Sequence, residues 1–94
     1  MVIGLLTLEL HLPAAHSLKD KRQVLKSLQA RLRNQFNVSV AEVDGQDNRQ
    51  RAVIAVVCVA TDVSYAHGLL TRAAGWVERT RLDCTLADYR IEIL

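Results

Sequence analysis

The chain has 94 residues, twelve Lys or Arg against ten Asp or Glu, and a net charge of +2. That length makes one domain, 1–94, with one core. With half the residues hydrophobic and 23% charged, the composition excludes a disordered chain, and the near-neutral total excludes a wholly basic nucleic-acid binder. Only four residues are aromatic, so the core must be aliphatic.

Val2 to Leu12 alternates. Leu6, Leu8, Leu10 and Leu12 fall on one face, and Thr7, Glu9 and His11 on the other, which predicts a half-buried strand. Pro13 ends it, because proline donates no ladder hydrogen bond. The run is too short to span a bilayer and lacks the basic flank and cleavage site of a signal peptide. A cytoplasmic protein is expected.

Ser17 caps a predicted helix that runs to about Asn34 or Gln35, with Leu18, Leu25, Leu28 and Leu32 on one side. Phe36–Asp44 reads as a second strand. The polar turn from Gly45 to Gln50 makes Arg51–Ala60 its antiparallel partner. The third strand is apolar on both faces from Ala52 to Ala60, as a central strand is. Asp62 caps a second helix carrying Val63, Ala66, Leu70, Ala73 and Val77 at helical spacing. Tyr65 and Trp76 lie near the edge of that apolar face and are expected to complete the core. The last strand spans about Leu82 to Leu94.

The order βαββαβ predicts an α+β, ferredoxin-like two-layer sandwich. Its four-stranded antiparallel sheet has the first and third strands in the centre and both helices on one face. The opposite face then carries Ile3, Leu5 and half of the third strand. Such an aliphatic face predicts a homodimer. Cys58 and Cys84 fall on strands that are not neighbours, too far apart to bridge, so both are expected as free thiols.

Charge is concentrated on the first helix. Ser17 to Arg33 holds six basic residues and one acidic, a balance of +5. The remainder holds six against nine, a balance of −3. At 100° per residue, Lys19, Arg22, Lys26 and Arg33 share a stripe roughly 60° wide. Lys21 and Arg31 are placed beside the apolar face on its other side. The stripe is the candidate nucleic-acid-binding surface, a ridge of cations for phosphates. Its plainer reading is a solvated helix face.

The hairpin supplies a second set of candidates: Asp44, Gln46, Asp47 and Arg51. The carboxylates of Asp44 and Asp47 lack the ordered ligand series of a calcium loop, and a solvated turn is the simplest account. His11, His16 and His67 have no zinc-ligand spacing. No nucleophile motif, phosphate-cradling glycine loop or cofactor motif is present. A non-catalytic protein is expected, with no cofactor and no metal. There is neither a G-x-x-G loop nor a pair of stacking aromatics on the third strand, so RNA would be held by helix charge and not by a base-stacking sheet.

Three stretches carry a resemblance when taken together: Leu10–Pro13 leading into Ser17-Leu-Lys-Asp-Lys-Arg22, then Val24–Leu28, then Phe36–Asp44 followed by Gln46-Asp47. With the ending Ile91–Leu94, they resemble the small bacterial YlxP-like family of unknown function over essentially the whole chain. The resemblance implies a ferredoxin-like fold and a gene neighbourhood among translation and transcription factors, beside ribosome-binding factor A. It brings no catalytic residues. The matching positions are Ser17, Leu18, Lys19, Lys21, Arg22, Leu25, Lys26, Asp44, Gln46 and Asp47. Arg49 departs from the pattern, standing where relatives often carry an aromatic residue.

The expected function is an RNA- or ribosome-associated accessory protein that binds phosphates through the basic helix. The alternatives are a dimeric small-ligand-binding or regulatory module and a protein–protein adaptor.

Overall fold

A computed structural model describes residues 1–80 and 82–94. The chain runs β1 (Val2–His11), α1 (Leu18–Gln35), β2 (Ser39–Asp44), β3 (Arg51–Ala60), α2 (Val63–Arg79) and β4 (Thr85–Ile93). The sheet order is β2-β3-β1-β4, every neighbouring pair antiparallel. This is the ferredoxin-like arrangement that the alternation and the caps predict, with the two most apolar strands in the centre.

Period-two patterning decides which face meets the helices. Leu6, Leu8 and Leu10 of β1 pair with Val56, Ile54 and Ala52 of β3, and all six are essentially fully buried. From α1 they meet Leu25, Leu28 and Leu32, and from α2 Ala66, Leu70, Ala73 and Val77. The approach of α2 is close. A Cβ at Gly4 would stand 2.8 Å from Leu70 Cδ1 and 3.2 Å from Cys58 Sγ, so a side chain there requires Leu70 and Cys58 to shift.

Both caps form as the sequence requires. Ser17 Oγ accepts from Asp20 N at 3.0 Å, and Asp62 Oδ1 accepts from Ser64 N at 2.9 Å. Each satisfies an orphan donor of the first turn. Asp20 Oδ2 in turn accepts from His16 N at 3.1 Å, tying the residue before the cap to the first turn of α1.

Strand ends depart from expectation. β2 begins at Ser39, not Phe36, because Phe36 N donates back to Leu32 O and Val38 N to Phe36 O, a turn that delays pairing. β4 begins at Thr85, since Cys84 N donates to Leu82 O. Cys84 therefore precedes the strand. Trp76 packs against the core, but Tyr65, on the first turn of α2, is 57% exposed and does not.

Cys58 is buried, Cys84 is half-buried, and both are free thiols. Burial raises the Cys84 pKa above its ordinary value, and the charge of Asp83 raises it further. The neutral thiol is thus favoured in the fold, and the reactive thiolate appears only at more alkaline pH. Alkylation of native protein by iodoacetamide, followed by mass, is expected to be slow at neutral pH. It should label Cys84 before Cys58 and accelerate as pH rises. Rapid labelling of Cys58 at neutral pH, or a mass two units low without reductant, would contradict the strand placement.

Candidate nucleic-acid interface and the hairpin it borders

Four leucine-spaced positions define the buried stripe of α1: Lys21, Leu25, Leu28 and Leu32. The first is a lysine. Lys21 is 1% exposed, in the middle of the apolar arc and not beside it as the sequence suggested. Its ammonium donates to Gly45 O at 2.6 Å and to Asn48 O at 2.7 Å. It also stands 2.9 Å from Glu42 Oε2. That contact is a charge pair without hydrogen-bond alignment, since the buried oxygen has no hydrogen-bond partner. Glu42 points inward because it occupies the core-facing register opposite Ile54 on β3.

A buried ammonium needs compensation for its lost hydration. Two carbonyls and one carboxylate supply it here, all three from β2 and the loop after it. The same loop is tied down elsewhere. Leu12 N donates to Gln50 O at 2.8 Å, Gln50 Nε2 to Pro13 O at 3.3 Å, and Arg49 Nη1 to His16 O at 3.2 Å. Residues 45–50 are thus fixed against the β1–α1 connection, more than a solvated turn would be. Arg49, the position that departs from the family pattern, makes one of these ties. Gly45 permits the turn with φ near +75°.

The four loop candidates come together. Asp44, Gln46, Asp47 and Arg51 line one open depression of about 440 Å³ on the hairpin. Two of the four are engaged. Asp44 Oδ1 accepts from Gly45 N at 2.8 Å, and Arg51 lies 3.5 Å from Glu9. Among the described residues no group of three or more His, Cys, Asp or Glu stands together to hold a metal ion.

The helix candidates come together in part. Arg22, Lys26 and Arg33 line one groove of about 180 Å³ between α1 and the edge strand β2, with Gln29, Leu25 and Glu42. Lys19 lies on the same stripe beyond the end of the groove. All four cations are exposed. Among the described residues the ion pairs are Lys21–Glu42, Arg51–Glu9 and Arg90–Glu92, and none of the four takes part. The one carboxylate in the groove, Glu42, is already balanced by Lys21. What remains is positive.

Residues 3–91 match the family described as "Protein of unknown function (DUF503)". The chain belongs to this family. It is also similar to the protein "Uncharacterized protein YlxP" of Bacillus subtilis (strain 168), with 34% identity over 77 residues, 82% of this chain and 84% of that protein. Among the described residues no helix is long and apolar enough to cross a membrane.

Proposed function

We propose that this DUF503-family protein is a non-catalytic RNA- or ribosome-associated accessory protein of the cytoplasm that holds phosphates along α1. One observation carries the reading: Arg22, Lys26 and Arg33 stand side by side in one groove, with Lys19 in line beyond them and, among the described residues, no acidic partner on any of the four. Among the described surface cations elsewhere, Arg51 and Arg90 are each paired with an acid, and Arg49 is tied to His16 O. A helix face that served only solubility has no need to gather its cations on one side. Lys21 supports the site without touching the ligand, since it cancels the Glu42 charge that would repel a phosphate.

Phosphate contacts release condensed counterions, so affinity falls as salt rises. For a single strand, four contacts give a log–log slope of about −2.8, roughly −0.7 each. Replacing Lys26 with glutamine is expected to weaken binding to labelled ribosomal RNA fragments for all sequences alike, and to flatten the slope by about 0.7. The fold survives, because Lys26 is exposed and glutamine is as good a helix former as lysine. Fluorescence titrations at several salt concentrations check this. Equal affinity and equal slope for the two proteins would refute the assignment.

A further inference from the structure

The sheet face turned away from the helices is divided along its length. At one end stand Ile3 and Leu5 of β1, Val57 and Val59 of β3, and Leu94 just past β4, whose N–H donates to Ile3 O at 2.8 Å. Val59 is 65% exposed and Leu94 71%. At the other end stand Glu9, Arg51, Asp88 and Arg90, with Glu92 of β4 reaching back to Arg90 at 3.0 Å.

We infer that this face is covered by a second copy of the chain, related by a two-fold axis running along the strands between β1 and β3. Three features point to self-association. Carboxylates outnumber Lys and Arg among the charged groups of the face, three to two, so it does not suit a polyanion such as nucleic acid or an acidic lipid surface. Its charges are mixed, and both cations, Arg51 and Arg90, are paired with a carboxylate, so the face carries no strong field that a highly charged protein partner would match.

The register is the second feature. Ile3 lies beside Val59, Leu5 beside Val57 and Thr7 beside Ala55. The proposed axis exchanges β1 and β3, so Leu5 of one copy sits over Val57 of the other, and Ile3 over Val59. Along the two central strands aliphatic meets aliphatic at that end, while Glu92 of β4 beside Leu5 and Ser39 of β2 beside Val57 stand at its flanks and face each other across the axis. Aligned sheet packing turns the two sheets by about 30°, which displaces these central levels little.

The area suffices. Strands of ten, six, ten and nine residues, at roughly 3.3 Å per residue and about 4.8 Å between strands, give a footprint of about 550 Å² per copy. Two copies then exceed the roughly 1,000 Å² that a specific interface needs. The helices stay on the outside of such a dimer, leaving both α1 ridges free. The inference is therefore independent of the RNA reading.

Sedimentation equilibrium at high micromolar concentration tests it. Wild type is expected as a dimer. Val59→Lys, at an exposed position that leaves the fold intact, should weaken association at least about tenfold, equivalent to about 1.4 kcal/mol. Leu5→Glu and Val57→Lys should each be monomeric alone, with wild-type circular dichroism confirming that both fold. Mixed one to one, they should form a heterodimer, because the new carboxylate of one copy faces the new ammonium of the other. A monomeric wild type would overturn the inference. So would a dimer indifferent to Val59→Lys, or two folded variants that remain monomers when mixed.

Discussion

Replacing Lys21 with methionine is expected to destabilise the fold by about 3 kcal/mol, the lower end of the range for breaking a buried ion pair, because Glu42 retains some contact with water. Methionine fills most of the lysine's volume and keeps the helix propensity, so neither packing nor α1 itself is the main loss. The loss lies in three acceptors that the ammonium served. Gly45 O and Asn48 O lose a donor, and the Glu42 carboxylate is left without its counter-charge. For a domain of this size the melting temperature should fall on the order of 15 °C. Urea unfolding of the variant measures the effect directly. Adding Glu42→Leu should restore most of the stability, because replacing both members of a buried pair by apolar groups is far cheaper than removing one. A single variant within about 1 kcal/mol of wild type would show that the clamp contributes no more than a surface contact.

The second large effect is on binding. Neutralising Arg22, Lys26 and Arg33 together with glutamine removes every cation from the groove and leaves Lys19 alone on the stripe. The salt slope for single-stranded RNA should then collapse from about −2.8 to about −0.7. Affinity at physiological salt should fall to or below the generic background of roughly 10⁻⁴ M. Stability should change by no more than about 0.5 kcal/mol, since all three side chains are exposed and outside the described ion pairs. That combination separates a ligand-binding role from a structural one. Titration and urea unfolding of the same preparation check both halves. A triple variant that binds RNA with the wild-type slope would place the phosphates elsewhere on the protein.

How much of this was legible in the sequence differs from element to element. The sheet was readable because Leu6, Leu8 and Leu10 alternate strictly and Ala52–Ala60 does not alternate at all, which separates a half-covered strand from a central one. The helices were readable from their caps, Ser17 and Asp62. The basic stripe was readable too, because helical spacing alone puts Arg22, Lys26 and Arg33 on one side. The groove they line was not, since its other wall is β2 and depends on tertiary packing. Lys21 was misplaced for a definite reason. Counting it among the charges hid its spacing, four residues before Leu25 and seven before Leu28, which puts it at the centre of the apolar arc. Glu42 carried the matching signal, a carboxylate in the inward register of a strand between Val40 and the turn. Each looked like ordinary surface charge by itself. Only the pairing of helix and strand shows that one is the other's partner, and that the hairpin hangs from both. The strand ends at Ser39 and Thr85 were lost to short backbone turns that no side-chain pattern marks.

α1 is proposed to hold RNA in the cell. Ultraviolet crosslinking in living cells, with sequencing of the attached RNA and mass mapping of nucleotide adducts on the protein, tests it most directly. RNA should be recovered well above an unirradiated control, adducts should be confined to peptides between Lys19 and Arg33 and the adjoining β2 edge, and the RNA should be lost in the Arg22→Gln, Lys26→Gln, Arg33→Gln variant. Recovery no greater than the control, or adducts only on the open sheet face around Leu5 and Val57, would contradict it.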